Sequence, residues 1–492
     1  MKKILVIILT FLFLVPFSTA CGEDPILESN ESAETTSSDL NAIPVKDMED
    51  REFKVLCWYF GYGSKSVLGF KGEVITVADE ENASAVDTAK RTVLNKVQED
   101  YNCKITGTVR GDDHIAFTNT IRNMVIADTK DYDMIFDAYG NLAPLVTENI
   151  LYDLNTISNI DFTNSWWDQN ARNDLSILNK LYFMCGDINT YDNDGTWCTL
   201  FNKTLQNKIG LGDIDFYQLV KDGEWTFDKF TEICKSGITK DTTGDGLLDE
   251  FDTWALGTET YNVYVHVVGA GEKIVRKDAD DKPYFTIQEE ATSNALSKIL
   301  ELYMDKNTVM VANAVPYTNK GYPNVWEATV HKAFIEGREL FYTCGLINVP
   351  SFRNMDEDFG ILPIPMMVEG QTDYYHTVSI HNMSAVCIPK NVVNVEDVGL
   401  IMEALGKYSK EIVTPAYYDI QLKYRDARDD ESGEMLDIIF ASRSFDLGAA
   451  FNWGNTLSNY MVMDTNYTSR FESIMDAADL ALETTLEQIQ QE

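Results

Sequence analysis

The chain has 492 residues, of which 78 are Asp or Glu and 40 are Lys or Arg, giving a formal net charge of −38. Such an acidic surface repels phosphate backbones and anionic headgroups, which excludes nucleic-acid binding and basic-patch adhesion to membranes. Beyond the first twenty residues no apolar stretch approaches bilayer length, and the roughly 440 residues that read as globular exceed one hydrophobic core.

Met1-Lys2-Lys3 is a short positive start, and Ile4 to Phe17 is apolar except for Thr10 and Pro16. This pattern predicts a signal peptide over 1–20. Ser18-Thr19-Ala20 then precedes Cys21, as in a bacterial lipobox, although Ser18 stands where Leu is usual. Cys21 is the expected lipidation site, which would hold the protein on the extracellular face of the membrane. The small residues Ser18 and Ala20 also suit ordinary cleavage, which would release a soluble protein. Residues 21–52 are polar and lack aromatic residues over Ser29 to Ser38, which predicts a flexible tether.

The globular part begins near Phe53. Lys54 to Phe60 reads as a buried strand, and Ala89, Val93, Val97 and Tyr101 recur at helical spacing. A strand over Cys103–Val109, a helix around Ile115–Ala127 and a strand over Tyr132–Ala138 follow, an alternation that predicts parallel pairing. Ligands of open parallel sheets sit beyond the carboxyl ends of the strands, here Trp58-Tyr59-Phe60-Gly61 and Asp137-Ala138-Tyr139-Gly140. A second strand-and-helix set is expected to begin near Leu181 to Asp187, read as its first strand. Thr226 is placed to cap a helix whose apolar face is Phe227, Phe230 and Cys234, and another helix is expected over Glu289–Met304. Besides Cys21 there are seven cysteines without close pairs, which read as buried small hydrophobes.

Between these elements lies Asp241-Thr242-Thr243-Gly244-Asp245-Gly246-Leu247-Leu248-Asp249-Glu250-Phe251-Asp252. Asp241, Thr243, Asp245, Asp249 and Asp252 place oxygen ligands at positions 1, 3, 5, 9 and 12. Leu247 adds a backbone carbonyl and Gly246 allows the sharp turn, so the loop is expected to hold a structural Ca2+. The other reading of the same residues is a polar turn held by Asx hydrogen bonds.

Several further segments occur in a telling order. They are Thr199-Leu200-Phe201-Asn202-Lys203, Gly223-Glu224-Trp225-Thr226-Phe227-Asp228, Ala333-Phe334-Ile335-Glu336-Gly337-Arg338, Phe359-Gly360-Ile361-Leu362-Pro363-Ile364-Pro365, Cys387-Ile388-Pro389-Lys390 and Met435 to Phe440. Together they resemble the extracellular solute-binding proteins of family 1, the maltose-binding-like receptors of ABC sugar importers, in their Gram-positive lipoprotein subgroup. The resemblance implies an α/β, two-lobe periplasmic-binding-protein-like fold with hinge strands and type II topology. It further implies lobe 1 over 53–155 and 361–408, and lobe 2 over 156–360 and 409–492. Its expected partners are a carbohydrate and the permease subunits of the importer, with the receptor itself a monomer.

A sugar presents apolar faces rimmed by hydroxyls, so its site needs aromatic platforms with carboxylates or amides. The candidates near strand ends and loops are Trp58, Tyr59, Tyr139, Tyr191, Trp197, Tyr342, His381 and Trp453, with Asp137 and Asp187 as hydroxyl partners. Asn452-Trp453-Gly454-Asn455 reads as an exposed loop carrying its Trp. Most of the 24 Tyr, 24 Phe and 8 Trp must serve ordinary packing. No nucleophile elbow, zinc-protease motif, P-loop or dinucleotide fingerprint occurs, so an enzyme is not expected. A receptor feeding a membrane sensor, or less readily a glycan-active enzyme, is the alternative.

Overall fold

The computed structural model describes residues 43–58, 73, 75, 83–110, 114–190, 192–368, 370–418 and 429–491. Cys21, Tyr59 and Tyr191 lie outside them.

The first sheet follows from the predicted alternation. Strands β1 (Arg51–Trp58), β2 (Cys103–Arg110) and β3 (Met134–Ala138) pair in parallel, with β1 in the middle. Helix α1 (Ala85–Tyr101) connects β1 to β2, and α2 (His114–Ala127) connects β2 to β3. Ser84 starts α1 with a capping box: its hydroxyl accepts the Asp87 amide at 3.1 Å while Asp87 accepts the Ser84 amide at 3.0 Å. The four residues that set the helical period, Ala89, Val93, Val97 and Tyr101, all face the core. Helix α3 (Tyr139–Thr147) leaves directly from the end of β3.

The second sheet is mixed. Its strands are β4 (Trp197–Asn202), β5 (Trp254–Thr258), β6 (Val309–Val311), β7 (Glu339–Gly345) and β8 (Phe359–Leu362), in the order β8-β4-β7-β5-β6. Asn202 ends β4 and caps the next helix by accepting the Leu205 amide at 2.7 Å, which accounts for the strand-to-helix junction read at 199–203. Thr226 caps Phe227–Cys234 as expected, accepting the Lys229 amide. Strand β9 (Ser384–Cys387) then returns to the first sheet, antiparallel to β3. The crossover expected at 361 falls inside β8, a strand of the second sheet.

The segment Leu181–Asp187 is not a strand of either sheet. Met184 makes one antiparallel bridge to Val386, and Gly186 makes another to Trp167. A Cβ on Gly186 would collide with the Trp166 carbonyl, so the chain here is a close-packed connector. The seven described cysteines are buried and unbridged. No described helix is long and apolar enough to cross a membrane.

The chain passes between the two sheets through 187–196 and again through 363–383. These crossings are tied together. Asn189 donates to the Ser384 hydroxyl at 2.9 Å, and the buried Glu73 carboxyl accepts both the Thr190 amide, at 2.8 Å, and the Ser384 hydroxyl. Arg443 pairs with Asp168 at 2.5 Å and Asp192 at 2.8 Å, and its strand pairs with His376–Thr377 in the second crossing. A buried ionic cluster of this kind resists loss of one member more than it adds net stability.

Candidate functional site

Where the two sheets' connections converge there is a cavity of 1110 Å³. The first lobe contributes the start of α2 (His114, Ile115, Thr118) and of α3 (Gly140, Asn141, Pro144). Gly140 is needed there: its amide donates to the Ile380 carbonyl at 3.1 Å, and a Cβ would stand 2.9 Å from that oxygen. The second lobe contributes Trp197, Glu259, Tyr261, Trp326, Gly345 and Asn348, and the second crossing brings Ser379 to Asn382. Phe451 and Asn452 complete the wall.

The aromatic walls are fixed from behind. Trp197 donates its indole N–H to Asn262 at 2.7 Å and lies 5.1 Å from the Tyr261 ring, inclined by 54°. Trp326 donates to the Tyr342 hydroxyl at 2.7 Å, with its ring 4.4 Å from that of His331. Phe451 stacks on Trp453 at 4.7 Å and 10°. Held this way, the rings lose little freedom when a ligand arrives.

Polar groups are interspersed. Asn348 donates to the Gly345 carbonyl at 2.9 Å, while its own buried side-chain oxygen has no partner among the described residues. Glu259 stands just after β5, half-buried, and burial pushes its carboxyl up to about 7. Arg122 lines the cavity too, but its guanidinium is clamped by Glu148 at 2.5 and 2.7 Å.

Of the residues predicted from sequence, Trp197 and His381 line this cavity. Trp58 is half-buried at the end of β1 and is not part of the lining. Tyr139 is fully buried and donates to the Val378 carbonyl at 2.8 Å, so it braces the second crossing. Asp137 is also fully buried; it accepts from Ala138 and Asn141, and through Asn141 it reaches the cavity wall indirectly. Its carboxyl is pushed up to about 7 by burial, against those two hydrogen bonds. Asp187 accepts from Thr414 and Lys410, and Tyr342 supports Trp326 from the core.

Trp453 requires a correction. It is 4% exposed, not displayed on a loop. Asn452, Gly454 and Asn455 adopt left-handed φ of 47°, 62° and 58°, and this tight reversal turns the Trp toward helix α4 (Tyr467–Gln490). There its indole donates to Thr485 at 2.9 Å. The ring that lines the cavity is its neighbour Phe451. Sequence reasoning also missed Glu259, Tyr261, Trp326 and Asn348. A usable signal existed for one of them, since Gly321-Tyr322-Pro323 marks a break just before Trp326.

The loop 241–252 lies elsewhere. Asp241 accepts the amides of Gly244 (2.6 Å) and Gly246 (2.8 Å), and Asp245 accepts that of Leu247. Asp252 accepts the amides of Thr242, Thr243 and Asp249. These bonds hold the carboxyls of Asp241 and Asp252 below the usual range. Among the described residues no three acidic, His or Cys side chains are gathered as a metal cage. The Asp252 carboxyl is fully buried and takes these three amides from within the loop.

No protein-family model and no curated protein matches the sequence. Solved structures do. One is a cyclic alpha-maltosyl-1,6-maltose binding protein from Arthrobacter globiformis, with a TM-score of 0.56 at 13% identity, over 90% of this chain and 100% of that one. Another is a cyclo/maltodextrin-binding protein complexed with maltotetraose, with a TM-score of 0.54 at 11% identity, over 90% and 99%. A third is an ABC transporter solute-binding protein from Thermotoga lettingae bound with alpha-D-tagatose, with a TM-score of 0.50 at 14% identity, over 89% and 100%. At such identities the likeness speaks of architecture alone, and the architecture is the two-lobe α/β fold of periplasmic-type binding proteins.

Proposed function

We propose that this protein is an extracellular solute-binding receptor that delivers a mono- or oligosaccharide to an ABC importer. The observation that carries the reading is the cavity between the lobes. Rigid rings of Trp197, Tyr261, Trp326 and Phe451 alternate there with the amides of Asn141, Asn324, Asn348 and Asn382. Rings pack on the C–H faces of a sugar, and amides answer its hydroxyls. The volume exceeds the roughly 300–1,000 Å³ usual for small-molecule pockets, which suits more than one sugar ring. The similar structures include proteins described as binding maltotetraose, a cyclic maltosyl-maltose and tagatose, which supports the same cargo class.

The protein binds its cargo without converting it, a reading supported by similar structures that are described as binding proteins. The N-terminal pattern through Cys21 supports anchoring by lipid on the outer face of the membrane. Calcium at 241–252 is a further proposal. Its support is the spacing of oxygens and the turn at Gly246, whose φ is 84°. Asp252 would have to release three amides to become a ligand, so affinity would be low.

The test is a thermal-shift screen of the mature chain against a glycan panel, followed by calorimetry and product analysis of the best hit. A saturable hit recovered unchanged is expected. Steady conversion of that glycan, or no saccharide binding at all, overturns the reading.

A further inference from the structure

Two acceptors in the residues that line the cavity have no donor among the described residues. The Glu259 carboxylate makes no hydrogen bond or ion pair among the described residues, although it stands in the wall of the cavity. Asn348, a lining residue only 6% exposed, has a buried side-chain oxygen that is likewise without a partner among the described residues. A half-buried carboxylate in a cavity wall with no partner loses part of its hydration without compensation, so a site that retains one favours a ligand that supplies it. From this geometry, and resting on the carbohydrate reading above, we propose that the cargo carries a basic amine, as an unacetylated amino sugar does, and that Glu259 receives its ammonium group.

The surrounding charges agree. Arg122 is the one Lys or Arg among the described lining residues, and Glu148 engages its guanidinium in a two-point clamp. Glu327 adds a second carboxyl to the wall, and His114 and His381 are its imidazoles; burial lowers the affinity of His381 for a proton. Behind Glu259, Tyr342 and Cys344 of β7 are held neutral by burial, and so is Glu339 at the start of that strand. Among the described residues no cation therefore competes for Glu259 from the elements packed against it. The faces of Trp197 and Trp326 favour a cation further, and the strongly negative chain draws cations in.

Because burial holds Glu259 at about 7, ammonium binding near neutral pH drives its proton off. Affinity for an amine-bearing sugar therefore rises from pH about 5.5 to 7, where the carboxylate ionises while the amine still keeps its proton, and a neutral sugar lacks this rise. The experiment pairs each amino sugar, glucosamine and galactosamine and their short oligomers, with its N-acetylated and its hydroxyl counterpart. Titration calorimetry is run in two buffers of different ionisation enthalpy. The amino member should bind about tenfold or more tightly than its counterparts and release protons. Glu259→Gln, checked for an unchanged melting temperature, should abolish both differences. Neutral counterparts that bind as well or better, or a preference that survives Glu259→Gln, would overturn the inference and leave the carbohydrate reading standing. If Glu259→Gln fails to fold, the buffer dependence of proton release in the wild type still decides. Failure of every saccharide in all arms removes the carbohydrate reading and this inference together.

Discussion

Glu339 provides the sharpest quantitative test of the core beneath the site. It opens β7 opposite Trp254, is fully buried, and neither of its oxygens has a partner among the described residues. Arg338 beside it is already engaged by the Glu250 carbonyl and by Glu336 at 2.7 Å. A Cβ on Gly257 would collide with the carboxyl, which fills the room that glycine leaves. Burial pushes this group well above the usual carboxylate range. The native state therefore keeps a proton that the unfolded chain releases above about pH 4.3. Since the folded state binds more protons, stability falls as pH rises, by about 1.4 kcal/mol per unit between the unfolded and folded values. Glu339→Gln keeps the shape and removes the titration. Urea denaturation followed by tryptophan fluorescence between pH about 5 and 8 should show the wild type losing stability relative to the variant as pH rises, with a slope approaching that limit at the acid end. Glu73, Asp137, Asp192 and Glu259, all raised to about 7, titrate alike in both proteins and cancel in the difference. Parallel curves would refute the reasoning, because they would mean that Glu339 ionises without cost.

Four shorter tests follow from the site and its surroundings. Trp197→Ala should weaken glycan binding by roughly thirtyfold in calorimetry, the scale of losing a desolvated ring, and wild-type affinity would remove it from the site. Trp453→Ala should lower stability by about 3–5 kcal/mol through the lost stack on Phe451 and the Thr485 bond, and a variant as stable as wild type would contradict its burial. Calcium in the millimolar range should raise the melting temperature relative to chelator and cease to do so in Asp245→Ala; identical melting leaves the loop a turn held by its own hydrogen bonds. Cys21→Ala should move the protein from membrane to medium, and unchanged partition would refute lipid anchoring.

The first lobe was legible because its signals are local. Val86, Ala89, Val93 and Val97 repeat on one helical face, and the strands at 51–58, 103–110 and 134–138 are separated by helices of ordinary length. The second sheet was less legible. Its order β8-β4-β7-β5-β6 joins strands more than a hundred residues apart, and no periodicity reports such pairing. Leu181–Asp187 misled because its apolar residues are buried by packing, not by a sheet, and burial alone does not distinguish the two.

The binding residues were harder to read for a different reason. A strand end locates a cleft but does not say which of two consecutive rings faces it. At the end of β3, Asp137 and Tyr139 both turn inward to brace Asn141 and the second crossing, and it is Asn141 that the cavity meets. In the late loop, backbone reversals at Asn452 and Gly454 exchange the roles of Phe451 and Trp453. In both places the sequence points to the correct neighbourhood, and the predicted residue supports the one that lines the cavity. Aromatic and acidic residues near a predicted cleft thus form two layers, and only side-chain direction separates them. Glu259 escaped notice because it belongs to no motif and is one of 78 acidic residues, most of which water solvates. What distinguishes it is the lack of a partner among the described residues in a cavity wall, a property of the folded chain alone.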